Sequence, residues 1–461
     1  MTTSSPLTRE AAFGTTIAAP PRIVHIGLGA FHRAHQAWYT AHAVDAAEWG
    51  IAAFTGRSPT AADELAGQGG VYTLIERAAA DDTAEIIPSI VETHDGANLA
   101  RLRELFAAPE TAVVTLTVTE TAYRVAADGS PNITDPAVNR DIDALRSGTD
   151  PETVLGRLIA GLAARKAADA GGIAVVSCDN IPDNGALVRS GTLGLAERID
   201  ADLREWIAAH VSFVSTSVDR ITPRTTDADR NTAEQLTGFA DASPVVTEPF
   251  SDWVLSGGFP AGRPAWETAG VRFVDDIEPF ERRKLWLLNG AHSLLAYAGL
   301  LRGHHTVAEA MADTECRAWV RELWDEDVRH LPASLDLDAY RAQLEERFDN
   351  ARIAHHLAQI GMEGSTKLAV RIAPVVAAER AEGRSGAASI RALAAWIALQ
   401  LDGLDIHDAN ARGIAEARRS PNPVRALLAV VDGDLARDAD VVAAVTLAKD
   451  RLRPADAHAV V

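Results

Sequence analysis

Short runs of apolar, β-branched residues alternate with helical stretches in the first part of the chain. The runs are IVHIGL at 23–28, IAAFT at 51–55, AVVTLTV at 112–118, IAVVSC at 173–178 and VSFVSTSV at 211–218. Several are apolar on both faces, which is typical of parallel strands covered by helices on each side. The pattern predicts an α/β domain built on a parallel sheet. It also predicts that structure begins at Arg22, after a poorly ordered leader or edge segment of about 20 residues that is rich in Thr, Ser, Pro and Ala.

After Asp276 the pattern changes to apolar positions that recur every three or four residues, as in amphipathic helices. Examples are KLWLLNGAHSLLAYAGLL from 284, CRAWVRELW from 316 and SIRALAAWIALQL from 389. We therefore predict two domains. An α/β domain occupies residues 1–276, and a mostly α-helical domain occupies residues 277–461.

Composition and charge narrow the function classes. The 461 residues are 47% hydrophobic and 23% charged, as in ordinary globular proteins, and the net charge of −20 disfavours nucleic acid and anionic lipid as partners. The two cysteines, Cys178 and Cys316, cannot form a disulfide framework, which is typical of a reducing compartment. Neither a secretory signal nor an 18-residue apolar window is evident. We expect a cytoplasmic protein without membrane contact.

The first strand runs directly into Gly27 and Gly29, and a helical stretch follows. A dinucleotide fingerprint has glycines at this point because the turn is tight and a pyrophosphate approaches the backbone closely. His32 replaces the third glycine of the usual pattern. An ordinary βα turn would also fit, but the position at the first strand favours a cofactor site. Its candidate contacts are Ile26, Gly27, Leu28, Gly29, Ala30, Phe31, His32 and Arg33.

His32 and His35 have the spacing of a possible metal pair. They lack an acidic or cysteine partner at a suitable distance along the chain, so we expect no metal site.

The residues after the second strand bear on the choice between NAD and NADP. An acidic residue would accept bonds from the ribose of NAD, but Arg57 and Ser58 stand there, with Glu120 as a further candidate contact after the third predicted strand. Arg57 and Ser58 could hold the 2′-phosphate of NADP, and both cofactors remain open.

Lys284, Asn289 and His292 lie on one predicted helix, within an arc of roughly 140° at about 100° per residue. A lysine among leucines is desolvated, which lowers its pKa toward a value useful for a general base. The alternative is a lysine that reaches solvent and a histidine satisfied in the core.

Polar residues also follow three of the predicted strands. SCDNIPDNG places Asp179, Asn180 and Asn184 at the carboxyl end of a parallel strand, where open α/β sheets bind ligands. TVTETAY and SVDRITP place Glu120 and Asp219 in comparable positions. Asparagine amides there can stabilise an alkoxide that develops on a substrate oxygen, although Asn and Asp are also common turn residues.

Seven motifs in order resemble the long-chain, polyol-specific mannitol dehydrogenase family, which includes fructuronate reductases and mannitol-1-phosphate dehydrogenases. They are GLGAFHRAHQAWYT, TVTETAY, SCDNIPDNG, VDRITP, VTEPFSDW, KLWLLNGAHS and GMEGSTK. The resemblance implies a Rossmann-type N-terminal domain, a helical C-terminal domain, a nicotinamide cofactor and no catalytic metal. NAD is the expected cofactor, with NADP as the alternative.

The resemblance also implies residue roles. Lys284 matches the catalytic base, Asn180 and Asn289 match the amides that polarise the reacting oxygen, and His292 matches a residue that orients substrate. Asp219, Lys367 and Asn184 are the expected substrate contacts. Gln359 departs from the family pattern, because some relatives have arginine there, and this leaves the substrate open.

The implied activity is the interconversion of a polyol and a ketose, with D-mannitol and D-fructose as the leading pair. The alternatives are a uronate such as fructuronate or a phosphorylated polyol, which require a cation from Arg33, Arg224 or Lys367. A non-catalytic nicotinamide-binding sensor is the alternative from another class. The expected partner is a small sugar or polyol, and the expected assembly is a monomer or a weak oligomer.

Overall fold

The computed structural model describes residues 5–15, 17–126, 128–404 and 406–453. The chain forms two compact units, Met1–Glu278 and Pro279–Val461. Within the described ranges, no helix combines the length and the apolar character needed to span a bilayer.

The strands found among the described residues lie in the first unit. They are β1 Ser5–Pro6, β2 Pro21–Ile26, β3 Gly50–Phe54, β4 Tyr72–Arg77, β5 Asp82–Ile87, β6 Ile90–His94, β7 Val113–Leu116, β8 Ile173–Ser177, β9 Val211–Asp219, β10 Phe239–Ala240, β11 Val245–Thr247, β12 Asp252–Ser256 and β13 Arg272–Phe273. Its helices are α1 Arg9–Phe13, α2 Ala30–Ala34, α3 Gln36–His42, α4 Thr60–Gly67, α5 Leu99–Ala107, α6 Pro136–Ser147, α7 Val154–Ala167, α8 Asn184–Ile199, α9 Ala201–His210 and α10 Asp227–Thr237.

The main sheet has eight strands in the order β13-β12-β9-β8-β7-β2-β3-β6. The six from β9 to β6 are joined by parallel pairing, whereas β12 runs antiparallel to β9. Numbered along the chain, the parallel strands follow the order 3-2-1-4-5-6 of a Rossmann fold. The chain order reverses between β2 and β7, and open α/β sheets bind ligands outside the carboxyl ends of the strands at such a point.

Alternate residues of the central strands enter cores on opposite faces of the sheet. Ile23 and Val113 pack on one face, and Val24 and Val114 pack on the other. Both faces are covered, so the apolar runs need no polar side, and the prediction of a parallel α/β sheet is confirmed. The five predicted runs correspond to β2, β3, β7, β8 and β9.

The prediction that structure begins at Arg22 is wrong. β1 pairs with β10, and α1 is capped by Thr8, whose hydroxyl accepts a hydrogen bond from the backbone N–H of Ala11. The Arg9 guanidinium donates to the carbonyl oxygens of Gly69 and Pro88 at 2.9 Å each. Long-range hydrogen bonds of this kind order a segment whose composition alone resembles a leader.

The regular elements described in the second unit are helices. Its α-helices are α11 Glu278–Arg283, α12 Ala291–Leu301, α13 Val307–Ala312, α14 Thr314–Asp327, α15 Leu337–Phe348, α16 Leu357–Ile360, α17 Gly364–Arg371, α18 Ala373–Ala381, α19 Ala387–Asp402, α20 Ala411–Arg418, α21 Pro423–Val431 and α22 Ala439–Lys449. α12 and α19 are buried along most of their length. Between α11 and α12, residues Lys284–Gly290 form a π-helix, whereas the sequence predicts an α-helix there.

Candidate active site

The turn after β2 contains two glycines with different roles. Gly27 has φ +114°, and a Cβ atom there would overlap the carbonyl oxygen of Thr117, which follows β7. Only glycine fits this position. At Gly29 the atom nearest to an added Cβ is the carbonyl oxygen of Gly27 at 3.6 Å, so packing does not require glycine. Open space over an unobstructed backbone at the switch point fits the approach of a pyrophosphate.

His32, at the third glycine position, fills the space between helix and strand. Its ring stacks on His25 of β2, with ring centroids 3.3 Å apart and planes 8° from parallel. His25 also bonds Thr115 Oγ1 through Nδ1 at 2.8 Å. Burial lowers the pKa of His25 to about 3 and holds that of His32 well below its usual value. Two neutral rings therefore pack where a standard fingerprint brings backbones together.

The helix after the glycines is shorter than the sequence suggests. It breaks at His35, between α2 and α3. His35 Nε2 lies 3.1 Å from the carbonyl oxygen of Asp252, and its Nδ1 lies 2.9 Å from Gln36 Nε2. Both ring nitrogens of His35 are thus engaged within the unit.

The structure does not support Arg33 as an anion clamp. Its guanidinium is buried and donates to the carbonyl oxygen and hydroxyl of Ser243 at 2.5 and 3.1 Å, and to the Gly29 carbonyl at 3.3 Å. The side chain therefore braces the glycine turn, and any cofactor contact by Arg33 would come from its backbone. Arg224, another candidate cation, is exposed in the same unit.

The residues proposed to distinguish the cofactors lie at the surface. Arg57 and Ser58 are exposed after β3, and the Ser58 hydroxyl lies 2.8 Å from Thr60 Oγ1. Glu120 is exposed at the start of a short 3₁₀ turn after β7.

The sequence predicts Asn184 as a substrate contact, but its carboxamide is bonded to backbone groups of the first unit. It is fully buried at the start of α8. Its Nδ2 donates to the carbonyl oxygens of Asp179 and Thr216 at 2.9 and 2.8 Å, and its Oδ1 accepts from the Thr216 N–H at 2.9 Å. Asn180, in contrast, is exposed at the carboxyl end of β8.

Asp219 ends β9 and is 9% exposed. Its neighbour Arg220 is buried and donates to the Ala34 carbonyl at 2.7 Å and to Glu76 Oε2 at 3.2 Å. Arg220 also donates to the carbonyl oxygen of Glu248, whose carboxylate accepts from the Ile221 N–H at 2.6 Å. The VDRITP and VTEPFSDW motifs therefore pack together, and Arg220 holds the end of the strand in place.

The π-helical segment brings together the polar residues of the second unit. A π-helix bonds residue i to residue i+5, so Lys284 and Asn289 lie one turn apart, closer in angle than in the predicted α-helix. The carbonyl oxygens there have side-chain partners. Trp324 Nε1 donates to Leu287 O at 2.7 Å, and Arg371 Nη1 donates to Asn289 O at 3.2 Å. π-Helical turns occur often at functional sites.

Two polar groups beside this segment lack partners among the described residues. The Asn289 carboxamide makes no hydrogen bond there, and His292 Nε2 is buried without one. Burial, reinforced by basic neighbours, holds the pKa of His292 well below its usual value. Those neighbours are His355, Arg347, Arg371 and Lys367. A buried imidazole nitrogen without a hydrogen bond is costly, and a hydroxyl group placed beside it could supply that bond.

Lys367 and Arg371 lie one turn apart on α17. Lys367 Nζ donates to the Ile360 carbonyl at 2.9 Å, and burial lowers its pKa to about 8. Arg371 bonds Asn289 O and Ser293 Oγ, and within the described ranges neither cation forms a salt bridge. Sequence reasoning missed Arg371; the i, i+4 spacing from Lys367 is the signal that was available.

The predicted residues thus fall into two groups. The glycine turn, Asn180 and Asp219 belong to the first unit, at the ends of β2, β8 and β9. The second unit contributes Lys284, Asn289, His292 and Lys367. A Rossmann sheet with an open glycine turn, together with a helix that presents a lysine, an amide and a neutral imidazole, defines a dehydrogenase-type protein.

Comparison with known proteins identifies the family. The mannitol dehydrogenase Rossmann domain matches residues 21–268, and the mannitol dehydrogenase C-terminal domain matches residues 276–453. The chain belongs to the mannitol dehydrogenase family and is an oxidoreductase that acts on CH–OH groups, as the resemblance of its motifs implied.

Relatives with different names resemble it to similar degrees. D-mannonate oxidoreductase of Escherichia coli (strain K12) is 35% identical over 94% of this chain and 93% of its own length. Mannitol 2-dehydrogenase of Cereibacter sphaeroides is 37% identical over 77% of this chain and 76% of its own. The structure of Pseudomonas fluorescens mannitol 2-dehydrogenase, in ternary complex with NAD and D-mannitol, is 34% identical, with a TM-score of 0.79 and coverage of 97% and 96%.

Proposed function

We propose that the protein is an NAD-dependent, metal-independent dehydrogenase that interconverts a polyol and a ketose, with D-mannitol and D-fructose as the leading pair. The observation that carries this proposal is that Lys284 and Asn289 lie in one helical segment with His292, a neutral imidazole whose Nε2 is buried without a hydrogen-bond partner among the described residues. The relative crystallised with NAD and D-mannitol supports the choice of cofactor and substrate.

The residue roles follow from the chemistry of the side chains. In alcohol oxidation, the uncharged ε-amine of Lys284 accepts the hydroxyl proton of the substrate. The carboxamides of Asn180 and Asn289 donate to the reacting oxygen as it becomes negative, which stabilises the transition state by on the order of 3 kcal/mol for each donor. His292 bonds a neighbouring hydroxyl. When bound, the nicotinamide supplies the hydride acceptor.

The test is an initial-rate survey of the purified protein with NADH and NADPH in parallel. D-Fructose, D-fructuronate and D-fructose 6-phosphate are the ketones. We expect D-fructose reduction that is faster with NADH. A clear preference for NADPH would instead assign the exposed Arg57 and Ser58 to a 2′-phosphate. The absence of turnover with every ketone and with the matching alcohols, despite NADH binding, would overturn the assignment and favour a sensor.

A sugar acid is the second candidate substrate, because of two cations in the second unit. Lys367 and Arg371 are partly buried without a carboxylate partner among the described residues, and buried cations are stabilised by a counter-ion. Both lie close enough to His292 to lower its pKa. A substrate carboxylate would supply the missing charge. The E. coli D-mannonate oxidoreductase, which aligns over 94% of this chain, supports this alternative.

Substitution of Arg371 separates the two candidates. If a sugar acid is the substrate, Arg371→Gln raises the KM for D-fructuronate by about 10- to 100-fold more than the KM for D-fructose, because only the acid loses a charge-assisted bond, whereas loss of the contact with Asn289 O affects both ketones. Arg371→Lys restores part of the affinity. Arg412→Gln, which removes an exposed arginine paired with Glu416, is the matched control. Equal effects of Arg371→Gln on both ketones would contradict the carboxylate subsite.

A further inference from the structure

A buried carboxylate precedes Asn180 directly. Asp179 is 7% exposed at the carboxyl end of β8. Its Oδ1 accepts from the backbone N–H of Val118 at 2.6 Å, and its Oδ2 accepts a short hydrogen bond from the Tyr123 hydroxyl. Both donors belong to the segment after β7. One side chain thus ties together the segments that follow two neighbouring strands.

The backbone of Asp179 is fixed as well. Its carbonyl oxygen accepts from Asn184 Nδ2 at 2.9 Å and from the Ile181 N–H at 2.9 Å. Asn184 is in turn bonded on both sides to the backbone of Thr216 in β9. The residue before Asn180 is therefore held by bonds to the segments of three parallel strands.

The same network reaches the glycine turn. Thr117 Oγ1 donates to the Gly27 carbonyl at 3.0 Å, and the next residue, Val118, bonds the Asp179 carboxylate. The path from the turn to Asn180 thus contains two hydrogen bonds and two peptide links. All of these groups belong to the first unit.

We propose that Asp179 is a positioning residue that, in its ionised form, holds Asn180 in the orientation required for the reaction. This inference rests on the role proposed for the Asn180 amide. The ionised carboxylate accepts both the Val118 and the Tyr123 bonds. Protonation places a hydrogen on one carboxylate oxygen. That oxygen then accepts less well from Val118 or Tyr123, and the link between the two segments weakens.

Among the described residues, the groups that act on the Asp179 carboxyl carry no positive charge. They are the Tyr123 and Ser177 hydroxyls, the Cys178 thiol and the Val118 N–H. Burial raises the pKa of Asp179 to about 7, although the hydrogen bonds oppose this shift. The hydrogen bonds from Val118 and Tyr123 to Asp179 therefore weaken when the pH falls below neutrality.

Ketone reduction reveals this effect most clearly. The lysine must be protonated in that direction, so acid alone should not impair it. We expect the kcat of the wild-type enzyme to fall at low pH with an apparent pKa near 7. Asp179→Asn should lower kcat by about tenfold at neutral pH, because small displacements of a reacting group have effects of this size. It should also remove the decline of kcat at low pH, which is the acid limb of the pH profile. Tyr123→Phe should produce a smaller loss.

Two controls separate positioning from stability. Asp141 is also a buried carboxylate, bonded to the backbone N–H groups of Glu152 and Thr153 away from the strand ends. Asp141→Asn should lower the melting temperature without altering the pH profile. An Asp179→Asn enzyme that retains the acid limb, or a wild-type enzyme without one, would overturn the proposal.

A double-mutant cycle distinguishes failure of this proposal from failure of the proposed function. If Asp179 acts through Asn180, Asp179→Asn has no further effect on kcat in an Asn180→Ala background. Additive losses would overturn the positioning role while leaving the role of Asn180 intact. An unchanged kcat in Asn180→Ala alone would refute the proposed role of that amide, and with it this inference.

Discussion

Asn180 in the first unit follows a buried parallel strand, whereas Asn289 in the second lies inside a helix that widens to i→i+5 bonding. The residue before Asn180 is fixed by side-chain hydrogen bonds from neighbouring strands. At Asn289 the backbone carbonyl accepts from Arg371 and Ser293, while the carboxamide has no partner among the described residues. The two amides to which we assign the same role are thus held by different kinds of support.

The two asparagines differ in the structural feature that determines where each one lies. In the first unit a general property of parallel sheets, that carboxyl ends share one edge, brings the polar residues together. In the second unit the arrangement depends on a local departure from α-helical geometry, stabilised by side chains up to 82 residues away. We therefore expect the second group to be the more sensitive to distant substitutions.

The largest expected effect concerns the lysine of the helical group. Lys284→Ala should lower kcat by about 10³-fold, within the range for loss of a general base. NADH affinity should remain unchanged, because the glycine turn belongs to the other unit. The measurement is steady-state kinetics with NADH fluorescence titration.

Added primary amines should restore part of the activity of Lys284→Ala, and Lys449→Ala, at the end of α22, is the matched control. A Lys284→Ala enzyme with normal turnover on its best substrate would refute the mechanism. Loss of NADH binding would show instead that the two groups do not act independently.

The two glycines of the first unit test how its backbone is held. Gly27→Ala places a Cβ atom against the Thr117 carbonyl at positive φ, and should reduce the free energy of unfolding by about 3 kcal/mol. Gly29→Ala meets no close atom and should change that free energy by less than about 1 kcal/mol.

The affinity for NADH gives a second way to compare the two glycine variants. Gly29→Ala should fold normally but bind NADH about tenfold more weakly, since its methyl group occupies the space next to the backbone. Chemical denaturation and NADH titration measure the two quantities. Unchanged NADH affinity in Gly29→Ala would contradict the assignment of the turn to the cofactor.

The parallel sheet and the helical second half could be predicted because burial on both faces and three- to four-residue periodicity are strong signals. The hairpin of β4 and β5 and the short strands β10 to β13 could not, because their strands are short or half-exposed. The burial of Asn184 could not be predicted, since the sequence does not show whether an asparagine at a strand end faces a ligand or the backbone.

The π-helix shows a second limit of sequence reasoning. Apolar periodicity predicts a helix at 284–301 but not how its turns are bonded, because the carbonyl partners Trp324 and Arg371 come from α14 and α17. Arg371 was missed for the same reason. Its spacing from Lys367 places both cations on one helix face, but its contact with the Asn289 carbonyl is established only by the fold.

The smallest expected effect compares two buried carboxyl groups. Asp179 has partners for both oxygens, whereas Asp327 at the end of α14 is 1% exposed and neither of its oxygens has a hydrogen-bond partner among the described residues. Burial, together with the charge of Glu326, holds the pKa of Asp327 well above its usual value. Its proton is thus retained in the folded state and released on unfolding above about pH 4. This linkage makes the protein less stable as pH rises.

The Asp327→Asn protein has no such proton to release on unfolding. Its free energy of unfolding should therefore be higher by about 1 kcal/mol at neutral pH, and this difference should shrink toward about pH 4. Glu326→Gln is the matched control. Glu326 accepts from the Ala388 and Ser389 N–H groups at the start of α19, so its loss should destabilise the protein. Thermal unfolding across pH measures both variants. A destabilised Asp327→Asn protein would show that this carboxyl group, like Asp179, has a partner that holds it.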